Sequence, residues 1–295
     1  MNRPPARAAV PAGRQSTRDT LTYVFAVTRT PPPSEALTAT AGHDAGGPLR
    51  LVAAGPLWLV AQDVPAAAFD ASALGERLNR PEELERCARA HHRGVGAAAR
   101  SGPVVPLPMA TLYLGDLNAA GAVSGREAEL CALLDRLGGR TEWAVKVHAA
   151  EVSAPGASGA GAAGPTPAGG RDYLSRVSAR RRTRSEAHER AVAGAHEVDR
   201  ELRRYAVAAT RHRPQSEQLT GRNTPQLLNA AYLVDDAERA GFAGALARLT
   251  AVGTRPGIDI TASGPWIPYS FARLDQEWDV TADPRGAAAE HEGRA

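Results

Sequence analysis

PQLLNAAYLVDD (residues 225–236), AERAGFAGALARLTAVG (237–253) and GIDITASGPWIPYSF (257–271) follow one another near the C-terminus, and their succession decides the fold. The first reads as a strand. The second is an amphipathic helix, with Asp235-Asp236 in its N-cap region. In the third, Ile258, Ile260 and Ala262 alternate with Asp259, Thr261 and Ser263, the period of a half-buried strand. Gly264-Pro265 is a break signal, after which a further short strand is expected to return to the same sheet. Within it, GPWIPYSF (264–271) gathers Trp266, Tyr269 and Phe271 in a chain that is only 5% aromatic. No histidine stands near Tyr269 or Ser270 in the sequence, so no nucleophile and base are legible there. The stretch reads as a lock on a terminal strand, with Pro268 presetting the backbone.

Upstream, residues 171–213 form one helical stretch in which Ala191, Ala195, Val198, Leu202, Tyr205 and Ala209 step by four and three. That seam suits either another helix or the protein's own sheet. Around Arg180–Arg184 the helix is too polar to pack, so it is expected to project or to break near Thr183. SAPGASGAGAAGPTPAGG (153–170) is low in complexity and builds no core. It reads as a flexible linker or insertion.

The first half carries its own pattern. LTYVFAV (21–27) is nearly all apolar, a strand covered on both faces. Residues 30–48 read as a loop, and LRLVAAGPLWLVAQDV (49–64) as two strands around Gly55-Pro56. A helix begins at Pro81 and ends by Gly102-Pro103. VVPLPMATLYL (104–114) is extended, and its prolines suit a sheet edge. Ser124 and Glu127 form a capping-box signature for a helix with Leu130, Leu133, Leu134 and Leu137 on one face. TEWAVKVHA (141–149) alternates as a half-buried strand. The fold class is α+β: an N-terminal domain over 21–152 and a C-terminal domain over 171–273, with residues 1–20 a disordered arm and 274–295 a disordered tail.

A net charge of +3 and a single lysine, Lys146, argue against a selected nucleic-acid surface. The cluster Arg180-Arg181-Arg182 with Arg184 lacks interleaved aromatics and is partly balanced by Glu186 and Glu189. Two cysteines without paired spacing indicate neither a disulfide scaffold nor a zinc module. No apolar run is long enough to span a bilayer and no signal-peptide pattern is present, so the chain reads as cytoplasmic and free of membrane. Glu83, Cys87 and His91 step by four along one helix but lack a fourth ligand. GVGAAARSG (94–102) follows a helical run, the wrong context for a phosphate loop. No catalytic motif appears, and no cofactor, metal or small-molecule substrate is expected.

Several segments in order resemble the gas vesicle GvpL/GvpF family. They are YVFAV (23–27), LVAQDVP (59–65), His91 ahead of GPVVPLPMATLYL (102–114), EWAVKV (142–147), RDYLSRVSARR (171–181), LLNAAYLVDDAERAGF (227–242) and GPWIPYSF. The likeness covers roughly residues 21–273. One departure stands out: where the family usually carries PLRFGT, this chain has Pro108 for the basic residue and Met109-Ala110 for Phe-Gly. The resemblance implies two α+β domains, the second a modified ferredoxin-like sheet with a long helix. It implies a non-enzymatic accessory protein of gas vesicle assembly, cytoplasmic and vesicle-associated, contacting the shell protein GvpA and other Gvp proteins. The competing class is a small-molecule-sensing, ferredoxin-like regulatory protein. Val198, Leu202, Tyr205, Trp266, Tyr269, Phe271 and His91 are the candidate partner-binding or domain-interface residues.

Overall fold

A computed structural model describes residues 19–150, 170–213, 224–251 and 257–273. The expected arm, linker and tail lie almost wholly outside the described residues. The chain divides after Gly138, and a second compact unit spans Gly139–Phe271.

In the first unit, β1 (Thr20–Thr28) has seven consecutive buried residues, as its apolar run predicts. Its neighbours are β3 (Leu57–Pro65) on one side and the short strands β4 (Val104–Pro106) and β5 (Leu112–Tyr113) on the other. β2 (Arg50–Ala54) completes the sheet beyond β3, and every pairing is antiparallel. The stretch read as a loop contains a short helix α1 (Ser34–Thr38). Two further helices, α2 (Ala66–Phe69) and α3 (Ala71–Leu78), precede the expected α4 (Pro81–Ala98).

The glycine-rich GVG segment lies on α4 and serves packing. A Cβ at Gly94 would stand 2.4 Å from the Phe25 ring, so the absence of a side chain is what lets helix and strand approach. α5 (Asp116–Ser124) and α6 (Glu127–Leu137) follow. The expected capping box does not form. Ser124 is consumed as the last residue of α5, the N-cap position of α6 falls on Arg126, and Arg126 pairs with Glu129 at 2.9 Å instead. The stripe Leu130, Leu133, Leu134 and Leu137 is buried.

In the second unit the order is β7 (Ala208–Arg211), β8 (Gln226–Asp235), β6 (Arg140–Ala149), β9 (Ile258–Trp266), again antiparallel throughout. β6 was expected to close the N-terminal unit, and is instead a central strand here. Its alternation specifies a half-buried strand but says nothing about partners far along the chain. Val145 and Val147 face α7 (Gly170–Leu202) and α8 (Arg239–Thr250), sharing a core with Val198, Leu202, Tyr232 and Phe242.

α7 does not break near Thr183. It ends at Leu202 in a 3-10 turn over Arg203–Tyr205, so Ala209, expected on the seam, lies on β7. Neither acidic residue at the end of β8 caps a helix. Asp235 pairs with Arg140 at 2.6 Å, and Asp236 with Arg239. β9 runs through the Gly264–Pro265 bond, which is cis, and its register against β6 shifts between Glu142 and Ala144. A 3-10 turn (Tyr269–Phe271) then follows, rather than the expected strand.

Candidate functional site

The alternation of β6 that buries Val145 and Val147 turns Glu142 to the opposite face of the sheet, where only 7% of it is exposed. Its carboxylate holds the C-terminal stretch. The Ser270 N–H donates to Oε2 at 2.7 Å and the Ser270 hydroxyl donates to Oε1 at 2.7 Å. His212 Nε2 lies 3.2 Å from Ser270 Oγ. Serine, histidine and acid therefore meet in space although the sequence separates them, since His212 arrives on the residues just after β7.

Their order is wrong for nucleophilic catalysis. A serine nucleophile needs its proton taken by the imidazole, with the acid on the imidazole's far nitrogen. Here the acid itself accepts the hydrogen bond of the serine hydroxyl, which leaves His212 to donate to the oxygen. The arrangement is a clamp. Burial and the nearby Glu142 charge push the Tyr269 phenol above its ordinary pKa. Phe271 is buried, whereas Trp266 is 46% exposed, with Nε1 donating to Ser263 Oγ at 3.2 Å. The three aromatics of GPWIPYSF thus sit in different environments.

The helical seam is core. Ala191, Ala195, Val198 and Leu202 are buried, and Tyr205 packs against the same cluster. In this fold they are not offered to a client helix. Between them the sequence hid a polar anchor, Asp199, which accepts bonds from Tyr232 Oη (2.7 Å), Arg211 (2.7 Å) and Arg203 (3.0 Å). Burial alone would raise its pKa, but these three donors outweigh it and hold the carboxyl below the ordinary value. The described side chains of α7 between 181 and 186 are exposed, and Arg181, Arg182 and Arg184 make no ion pair among the described residues.

In the first unit, His91 is buried and pins the PLPMA turn at both ends. The Leu107 carbonyl can only accept, so His91 Nε2–H donates to it at 3.1 Å. Nδ1 then accepts from Tyr23 Oη at 3.0 Å, and the Tyr23 oxygen accepts the Ala110 N–H at 2.9 Å. Ala110 has φ 71°, a left-handed conformation that favours glycine. It occupies the position of the glycine in the usual Phe-Gly pair.

His43 lies beside this clamp against Tyr23, Phe25 and Phe69, and its Nε2 has no hydrogen-bond partner among the described residues. Gln62 anchors the loop that carries it. Its Oε1 accepts the His43 N–H at 2.8 Å, and its Nε2 donates to the carbonyls of His43 (3.1 Å) and Gly47 (2.7 Å). Cβ atoms at Gly42 or Gly46 would fall 2.4 Å from that amide. Burial above all, with His91 and Arg77 adding, lowers the His43 pKa to about 4, and burial lowers that of His91 to about 4. Glu83 pairs with Arg77 at 3.2 Å and Arg86 at 2.7 Å, and no group of three metal-ligating side chains converges among the described residues. On the surface, Leu114 and Leu117 are 74% and 89% exposed. No described helix is long and apolar enough to cross a membrane.

This arrangement, two antiparallel sheets with helices packed on them, has the α+β fold of solved gas vesicle proteins. The crystal structure of GvpF from Anabaena sp. PCC7120 matches with a TM-score of 0.58 at 15% identity, covering 87% of this chain and 98% of that one. GvpF from Microcystis aeruginosa matches at 0.56 and 14% identity, covering 86% and 99%. The family model described as gas vesicle synthesis protein GvpL/GvpF matches residues 21–273. Gas vesicle protein L of Streptomyces sp. (strain CB03234) is 38% identical over 260 residues, 88% of this chain and 95% of that protein. The chain belongs to the GvpL/GvpF family of gas vesicle synthesis proteins.

Proposed function

We propose that the protein is a non-enzymatic accessory factor of gas vesicle assembly, acting in the cytoplasm through contacts with the shell protein GvpA and other vesicle proteins. Family membership over residues 21–273 carries this reading. The geometry is consistent with it, because the polar clusters are spent on holding turns and strands. On the same reading, the second unit is a modified ferredoxin-like domain.

A gas vesicle shell subunit presents a strongly apolar face before assembly, and such a face associates without specificity unless it is shielded. With the α7 seam committed to the core, the contact falls on exposed apolar groups: Leu114 and Leu117 in one unit, Trp266 in the other. The test is co-purification of the full chain with GvpA, together with vesicle formation in a strain lacking the gene. Association with GvpA and loss of vesicles support the reading; normal vesicles without the protein overturn it. A small-molecule-sensing role has only analogy of fold behind it.

A further inference from the structure

We propose that the outer edge of β9 is a self-pairing surface, through which a second copy of this chain joins antiparallel and makes one sheet of two. An open strand edge is a template for another strand, and proteins usually blunt it with short strands, prolines or charges. Three edges here are blunted. β7 has four residues and ends on Arg211, β4 has three residues between Pro103 and Pro108, and β2 begins at Arg50, which is paired to Asp63 and to Asp116 at 2.7 Å. β9 differs. It is nine residues long, ends its sheet, and no strand covers its outer side among the described residues. Asp259 is its one charge, and its first proline comes at Pro265. Residues 261–263 are exposed in succession, so nothing described shields the centre of the strand.

The sequence of β9 fits its own reverse. In an antiparallel pair centred on Thr261, Ile260 meets the second copy's Ala262, and Ile258 meets its Gly264, all on the face that carries the helices. Asp259 meets a serine hydroxyl, Ser263, and Thr261 meets Thr261, on the polar face. Such cross-strand pairs are the unit of sheet stabilisation. The two Asp259 carboxylates end up four positions apart, roughly 13 Å at strand spacing, beyond the screening length at physiological salt. Pairing stops before Pro265, which has no N–H to give.

The fit is therefore isologous, as a twofold dimer requires. Ile258 and Ile260, only partly buried against the core, gain cover on their open flank. α7 leads toward the same edge: its contacts pass from Arg211 and Tyr232 at Asp199 to Ile258 at Gly194, where a Cβ would come within 3.3 Å.

Sedimentation velocity on the full chain, from the low micromolar to the hundred-micromolar range, reads the association directly. A concentration-dependent dimer is expected. Thr261→Lys, which sets two cations face to face at an exposed position, should weaken it about tenfold or more while leaving the melting transition of the monomer in place. In a Cys131→Ser background, Thr261→Cys should form a disulfide-linked dimer under mild oxidation faster than Ser263→Cys, because only position 261 meets itself. A chain that stays monomeric overturns the proposal. So does a dimer indifferent to Thr261→Lys with no preference for the crosslink at 261.

Discussion

Ser270 and Glu142 stand 128 residues apart in sequence and share two hydrogen bonds of 2.7 Å, one from the serine N–H and one from its hydroxyl. A single carboxylate thus ties the C-terminal turn to β6. Glu142→Gln keeps the shape but turns an NH2 toward one of the two donors. It should destabilise the second unit by about 1–3 kcal/mol, the range for a buried donor left unsatisfied. Ser270→Ala removes only the hydroxyl bond and should cost about 1 kcal/mol. Denaturant melts of both variants check the order; equal effects would show that replacing the carboxylate costs no more than losing the hydroxyl bond.

The left-handed Ala110 makes a prediction of opposite sign. An L-residue in this conformation costs roughly 1–2 kcal/mol, while glycine carries a smaller entropic penalty. Ala110→Gly leaves the N–H bond to Tyr23 in place and should raise stability by about 1 kcal/mol. Destabilisation on thermal melting would mean that the turn relaxes in solution.

Acid should act on the first unit through its histidines. His43 and His91 have folded pKa values of about 4 against an ordinary 6.5. The unfolded chain therefore binds protons that the folded one refuses, and stability is complete above about 6.5 and falls as the pH drops toward 4. Each full titration corresponds to about 3 kcal/mol. His43→Phe suits the surrounding Tyr23, Phe25 and Phe69 and removes one of the two protons. Chemical denaturation across that window should show a shallower slope in the variant than in the parent.

Core and surface candidates should separate cleanly. Leu202 is fully buried, so Leu202→Ala should cost 2–5 kcal/mol, and Leu202→Asp should abolish folding of its unit. Leu114→Arg, Leu117→Arg and Trp266→Ala alter exposed groups and should shift stability by no more than about 0.5 kcal/mol. Loss of vesicle formation in any of these three, with an unchanged melt, marks a contact surface.

Much of the fold was legible because it is local. The buried run of β1, the leucine stripe of α6 and the Gly55 turn between β2 and β3 follow from spacing and residue type alone. What was not legible depends on distance along the chain. β6 pairs with β8 and β9 across segments whose length says nothing about strand order. His212 reaches Ser270 by a fold, not by a motif. Ser124 has the local signature of a helix cap, but it ends α5, and its partner Glu127 opens α6 without it. In the candidate site, the seam spacing holds from Ala191 to Leu202 and fails at Ala209, which lies on β7; spacing leaves it two possible owners, and only burial chooses between them. Asp199 left one weak sequence signal: of the acids Glu197, Asp199 and Glu201, it is the one next to Val198 on the stripe that turns inward.

The Gln62 amide carries a historical consequence. A side chain at 42 or 46 would have to displace the same amide that satisfies the His43 and Gly47 backbone, so changing either glycine while Gln62 stays loses those hydrogen bonds. Nor can Gln62 be shortened first without stranding those backbone groups in the interior. Each single step is a loss, and only a joint replacement of loop and amide offers a way across. The three positions form one heritable unit, to be kept together or exchanged together, and relatives that part with one should have rebuilt the others.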